Sequence, residues 1–331
     1  MRAGGTAAPF ARSRGSDSAP STYGVVVVGP TTRSLCLPDG RELAYDDVGD
    51  PASVTVVYLH GTPDSRQGRP PDPATIGADV RLLAVDRPGF GDSDLDPGAT
   101  LATLGDDLAR LLDEVEVERS VVLGWSGGGL AALGAATSEA LAGRVAALGL
   151  IGTLPPAEAY DDPDVLAALG DGRRAFAEIA REIPAAELAE EVAPLLVPRP
   201  VDAAIARAHV LELAGPTGRA ELEGVPGAVD ALTAGVQASV QHGVQGLRGD
   251  IERQLERGLD LGAVSCPVRT FHGSLDEISP PEVGTWLVAR LPDAVLDLTP
   301  GAGHHLLFPR WRGILRALRR DAGFSGDPQV A

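Results

Sequence analysis

Four stretches of the chain are apolar at nearly every position: residues 54–59 (VTVVYL), 80–85 (VRLLAV), 120–125 (SVVLGW) and 144–151 (RVAALGLI). Runs this short and this continuous mark strands buried on both faces, as in a parallel sheet. Between the second and third, residues 102–117 place Leu104, Leu108, Leu111, Leu112 and Val115 on one helical face. Strands alternating with helices predict a parallel, doubly wound sheet. Upstream, residues 33–37 and 41–45 flank Pro38-Asp39-Gly40 and predict a hairpin turning on Asp-Gly. Residues 25–28, four valines between glycines, predict a short extra strand, and residues 1–22 read as a disordered tail.

The pattern changes after Gly152. Residues 154–235 are Ala-, Leu-, Glu- and Pro-rich with no strand signal, and prolines divide them into four or so short helices. This predicts a helical insertion within a core made of residues 23–153 and 236–331. A helix over 236–255 leads back to the sheet. A strand at 268–272, a helix at 281–291, a strand at 294–298 and a final helix after the 300–305 loop complete the chain.

Composition narrows the function. At 331 residues the chain has room for a large core, and its formal charge is −18 with no lysine among its 28 basic residues. So negative a chain has little affinity for nucleic acid or an anionic membrane, and it disfavours polyanionic substrates. A small, largely uncharged molecule is the expected partner. Cys36 and Cys266 are the only cysteines. They have no metal spacing, sit in or beside apolar runs, and are expected to be buried and inert. The absence of a disulfide framework, of a secretory signal and of an 18-residue apolar span predicts a cytoplasmic protein. No cofactor and no metal are expected.

The chemistry centres on Leu123-Gly124-Trp125-Ser126-Gly127-Gly128-Gly129. It joins a strand to a helix, the context that a G-x-S-x-G nucleophile turn requires. Gly124 and Gly128 permit a tight turn, Ser126 sits at its tip, and the Gly127 N–H at the helix start faces a developing oxyanion. Gly273-Ser274-Leu275-Asp276 and Gly301-Ala302-Gly303-His304 each follow a strand, where catalytic groups of parallel sheets gather. The expected roles are Ser126 as nucleophile, His304 as base and Asp276 as the acid that orients it. Of His304 and His305, only one can face Ser126. Asp276 is preferred over Asp293 and Asp297, which lie in or before the strand preceding His304.

The order Ser126, Asp276, His304 resembles that of the α/β-hydrolase fold. Over about residues 33–320 the chain resembles cap-bearing members: esterases, lactonases, carbon–carbon bond hydrolases, cofactor-free haloperoxidases and proline iminopeptidases. That resemblance implies a mostly parallel eight-stranded sheet flanked by helices, with residues 154–235 as a cap. It makes His60-Gly61-Thr62-Pro63 the oxyanion loop, with the Thr62 N–H as second donor, and Asp86–Gly91 a structural turn. It places the histidine directly after a glycine, which implies His304 rather than His305. His60 is expected to be hydrogen-bonded in its turn rather than to act as a base. His60, Gly61, Trp125, His305 and Tyr160 are expected beside the substrate, and Arg66 in solvent. The nucleophilic serine argues against epoxide hydrolases and haloalkane dehalogenases. The motifs differ from those of proline iminopeptidase. The expected activity is that of a serine hydrolase acting through an acyl-enzyme on a small ester, thioester or lactone. Two alternatives use the same residues: a biosynthetic cyclase, acyl transferase or carbon–carbon lyase, and a ligand-binding protein with slow turnover.

Overall fold

The computed structural model of the chain describes residues 31–199 and 201–324. The expected tail over 1–22 and the strand at 25–28 lie outside the described residues. The strands are β1 (Thr31–Cys36), β2 (Glu42–Val48), β3 (Val54–Leu59), β4 (Val80–Val85), β5 (Ser120–Trp125), β6 (Val145–Ile151), β7 (Val268–Gly273) and β8 (Ala294–Thr299). They form one eight-stranded sheet in the order β1-β2-β4-β3-β5-β6-β7-β8. The β1–β2 hairpin pairs Leu35 with Leu43, β2 runs antiparallel to β4, and every later pairing is parallel.

Period-2 alternation divides the buried side chains between two faces. Val56, Tyr58, Leu82 and Leu123 join one apolar cluster; Val57, Leu59, Leu83 and Val122 join the other. That is why these strands read as continuous apolar runs. The first face is closed by α12 (Leu307–Asp321), whose Trp311 meets Tyr58 edge-on at 5.6 Å and donates to Thr75 in α1 (Asp72–Ile76). The second is closed by α2 (Leu104–Glu114) and α11 (Pro281–Val288), with α3 (Gly127–Ala135) buried along its whole length. Each fully buried Leu or Val contributes about 1.5–3 kcal/mol.

The chain turns back in the sheet between β3 and β5, since β4 lies outside β3 while β5 begins the other half. Crevices at such reversals, beyond the carboxyl ends of the strands, are where doubly wound sheets bind ligands. The segments after β3 and β5 are the His60 loop and the Ser126 turn.

Between β6 and β7 the chain is helical, as the prolines suggest, but more finely divided than expected. A 3₁₀ turn at Ala157–Asp161 precedes α4 (Pro163–Ala168), α5 (Asp171–Ile179), α6 (Ala185–Val192), α7 (Ala203–Leu213), α8 (Gly215–Glu223) and α9 (Ala228–Ser239). The helix expected over 236–255 is two. Gly243, at φ +95°, separates α9 from α10 (Gln245–Gln254). The expected domain limit at 235 therefore falls inside α9. Gly235 marks a close approach there, because a Cβ on it would lie 1.9 Å from Asp64 Oδ1 and 2.9 Å from Gly68. The insertion also has no wholly separate core. Val210, Leu222, Leu232 and Val236 share the cluster of Tyr58 and Trp311.

The two cysteines differ. Cys266 is buried, and burial pushes its thiol up to about 11. Cys36 is exposed, contrary to expectation, because it ends the edge strand β1, which no described element flanks on its outer side. Among the described residues no helix is long and apolar enough to cross a membrane.

Asp64, wholly buried between Gly68 and Gly235, has neither carboxyl oxygen in a well-formed hydrogen bond. Burial raises its pKa well above the usual carboxylate value. In the unfolded chain it ionises near its ordinary value, about 4. The folded state thus retains this proton as pH rises through that value, and stability falls by up to about 1.4 kcal/mol per pH unit until the folded group also ionises. Asp64→Asn should flatten that decline, with a smaller loss of Tm between about pH 4 and pH 7 than in the parent. Parallel Tm–pH curves for the two proteins would refute the assignment.

Candidate active site

The site is built on the turn between β5 and α3. Ser126 adopts φ 56° and ψ −122°, a conformation that costs a non-glycine residue about 1–3 kcal/mol. Glycines on both sides make it attainable. A Cβ on Gly124 would lie 2.1 Å from the Gly128 carbonyl oxygen, and one on Gly128 would lie 2.2 Å from the carbonyl oxygens of Leu59 and His60. Strand, helix and the preceding loop therefore meet backbone to backbone. Gly127 opens α3, so its N–H is among the helix's unpaired donors and carries the positive end of its dipole.

The His304 ring nitrogen Nδ1 lies 2.8 Å from Asp276 Oδ2. The other oxygen of Asp276 accepts the N–H groups of Ile278 and Ser279 at 2.9 and 2.8 Å. Burial alone would push the Asp276 carboxyl up, but the His304 contacts and the Ser279 N–H hold it below the usual range. It is thus an anion at neutral pH, and Nδ1 is the protonated nitrogen, leaving Nε2 free to accept. Gly152, at φ +47°, lies against the pair; a Cβ there would be 3.0 Å from Asp276 Oδ2 and 3.1 Å from His304 Nδ1. Asp297 lies half-exposed in β8, and Asp293 is exposed at the turn before it.

The loop after β3 is held from behind by a buried ion pair. Arg87 donates to the carbonyls of His60 (3.1 Å) and Gly61 (2.9 Å), to Thr62 Oγ1 (2.9 Å) and to Asp250 of α10. Thr62 Oγ1 donates to the same carboxylate. Burial would raise the Asp250 pKa, but Arg87, Arg253 and Thr62 bring it down to about 2. Arg87 and Asp250 are 163 residues apart, and no local pattern announces the pair.

Thr62, Pro63, Trp125, Ser126, His304 and His305 line one cavity of about 90 Å³. Helices of the insertion close it with Arg173 of α5, Val210 and Leu213 of α7, and Leu232 and Val236 of α9. Ile278 completes the wall. Trp125 donates its indole N–H to the His304 carbonyl at 3.1 Å and packs its ring against both histidines. His305 is buried, and burial together with His304 lowers its pKa to about 3, so it is neutral at pH 7.

Several expected contacts are not made. His60 is fully buried; its Nε2 accepts the Arg87 N–H at 3.1 Å and its Nδ1 donates to the Gly61 carbonyl at 2.8 Å. No ring atom is left for a substrate. Gly61 does not line the cavity. It lets the loop pass over Trp125 and Ser126, since a Cβ would be 3.0 Å from the indole. Tyr160 packs with Leu169, Ala177 and Phe176, away from the cavity lining. Its aromatic bulk is used to build the insertion. Arg66, expected in solvent, is buried against Asp46, Asp86 and Asp92.

Glu221 of α8 was not foreseen. Its two oxygens accept the N–H groups of Gly303 (2.7 Å) and His305 (3.0 Å), the residues on either side of His304. Nothing in the helix around it, which carries a second glutamate at 223, distinguishes this glutamate in the sequence.

A family model described as the alpha/beta hydrolase family matches residues 56–317. A pimeloyl-[acyl-carrier protein] methyl ester esterase from Chromobacterium violaceum is 37% identical over 30% of this chain, a match spanning 40% of that protein. A 2-hydroxy-6-oxononadienedioate/2-hydroxy-6-oxononatrienedioate hydrolase from Cupriavidus pinatubonensis is 27% identical over 83% of this chain and 89% of its own. Among solved structures, a bromoperoxidase from Bacillus anthracis superposes with a TM-score of 0.65 at 21% identity, covering 89% of this chain and 100% of that one.

Two comparisons of variants test the geometry. Asp276→Asn should lower kcat by about 10⁴-fold while leaving the fold intact, because the imidazole loses its anionic partner. Asp297→Asn should leave kcat within a few-fold of the parent; a severe loss there instead would overturn the pairing. His304→Ala should abolish turnover, whereas His305→Ala, which removes a neutral wall of the cavity, should act mainly on KM. Equal losses in kcat would show that the two histidines are not distinguished as described.

Proposed function

Because this chain belongs to the α/β hydrolase family, whose matched members include an esterase and a carbon–carbon bond hydrolase, we propose that it is a serine hydrolase working through an acyl-enzyme. Its substrate is a small ester, thioester or lactone. The observation that carries this reading is the convergence on one cavity of Ser126, in its strained turn, with His304 already paired to an anionic Asp276.

His304 Nε2 takes the Ser126 hydroxyl proton as Oγ attacks the carbonyl carbon. The Gly127 N–H, at the positive end of α3, and the Thr62 N–H stabilise the tetrahedral oxyanion; losing one such donor typically costs about 10²–10³ in rate. The proton then passes from His304 to the leaving oxygen or sulfur, and water repeats the sequence in reverse to free the acid. Asp276 keeps the imidazole in the required tautomer and stabilises its cation. The Arg87–Asp250 pair holds the oxyanion loop from behind. The insertion supplies most of the apolar wall and governs which acyl groups fit. The cavity is small, about 90 Å³, which favours a short acyl chain.

A small fluorophosphonate should label the chain with one equivalent, and mass spectrometry should locate the adduct on the peptide containing Ser126. Labelling should vanish in Ser126→Ala and fall steeply in His304→Ala, because an unassisted hydroxyl reacts slowly. No adduct on folded protein would falsify the serine mechanism. Labelling without steady-state turnover of short-chain esters would favour the slow-turnover binding protein.

A further inference from the structure

Arg173 projects from α5 of the insertion into the wall of the same cavity as Ser126. It is half-buried, and its environment differs from that of the four buried arginines among the described residues. Arg66, Arg69, Arg81 and Arg87 each meet an aspartate at hydrogen-bonding distance. Arg173 meets none among the described residues. Its one hydrogen bond, 3.2 Å from Nη1, goes to the neutral side-chain oxygen of Gln254, and its guanidinium lies 5.7 Å from the Phe176 ring centre. In a chain with 46 acidic residues to 28 basic ones, this cation in the cavity wall has no carboxylate partner among the described residues.

A guanidinium offers five N–H donors in a planar fork, and one of these is engaged here. Removed from bulk water, such a fork binds a carboxylate by charge-assisted hydrogen bonds, stronger than neutral ones. The aliphatic part of the cavity wall is Val210, Leu213, Leu232, Val236 and Ile278. That surface suits a short methylene spacer.

We propose that Arg173 is an anion subsite and that the substrate is an ester, thioester or lactone carrying a free carboxylate a few carbons from the scissile carbonyl. This rests on the serine-hydrolase reading above, and it replaces the expectation of an uncharged substrate drawn from net charge. The global field repels anions, while one local cation selects a single carboxylate. The acid group forms no covalent bond and exchanges no proton with Arg173; it fixes the acyl chain so that the carbonyl meets Ser126.

The test compares monomethyl succinate with methyl succinamate, its neutral isostere, by proton release at constant pH. The parent should favour the carboxylate by about 10- to 100-fold in kcat/KM. In Arg173→Gln that ratio should collapse toward one, chiefly through KM, and Arg173→Lys should recover part of it. The preference should also weaken between about 10 mM and about 1 M NaCl as the charges are screened. A parent ratio at or below one, or an equal ratio in parent and Arg173→Gln, overturns the proposal. If Arg173→Gln does not fold, the parent ratio and its salt dependence decide. Failure of the serine reading is told apart by calorimetry on Ser126→Ala. Succinate should bind that variant and bind it less tightly when Arg173→Gln is added, whether or not any ester turns over. No succinate binding to Ser126→Ala removes the subsite.

Discussion

Three backbones meet around the Ser126 turn, and the rest of the molecule accommodates that meeting. The end of β5, the first residues of α3 and the carbonyls of Leu59 and His60 approach so closely that Gly124 and Gly128 have no room for a methyl group. Side chains cannot occupy this space, so packing around it is arranged from outside. Helix α3 is buried along its length, and the sheet reverses direction beside it. The strain in Ser126 persists because the surrounding core over-determines it.

Charge within the core serves the same end. Arg87 and Asp250 are both nearly inaccessible to solvent, where an isolated ion would be costly. Each is satisfied by the other and by the loop after β3: Arg87 through the His60 and Gly61 carbonyls, both through Thr62. Removing either would leave a buried charge unpaired, typically a loss of about 3–5 kcal/mol. The pair thereby couples the turn after β4, the loop after β3 and α10. Arg66, shared among Asp46, Asp86 and Asp92, braces the same loop one turn further on.

What the sequence made legible follows from range. Strands β3 to β6 were visible because both faces of each are buried, so apolar residues run on without interruption. The Ser126 turn was visible because a close approach demands glycine at two fixed spacings. Asp276 and His304 were visible because each directly follows a strand. Features that depend on distant partners left no such trace. Asp250 lies mid-helix, 163 residues from Arg87, and Arg66 looks like a solvent-facing residue until three aspartates from two distant segments surround it. Tyr160 stood out as a rare aromatic, yet rarity does not reveal which side of a wall a ring occupies. Cys36 looked buried because it lies between Leu35 and Leu37, but a sheet edge exposes what a central strand would hide. The break at Gly243 does carry a local signal, a glycine ending a helical run, but the apolar pattern continues across it.

Glu221 changes what the insertion is. Its carboxylate holds the two backbone N–H groups that bracket His304, so the element that closes the cavity also grips the loop bearing the histidine. A loose cover could be exchanged between relatives to alter which molecules enter, leaving the reactive groups undisturbed. Here the exchange would bring a new grip on that loop with every new wall. The wall of the cavity and the alignment of the imidazole are therefore inherited together, and divergence within α8 is constrained by the loop it grips as well as by its packing on α7, α9 and α12.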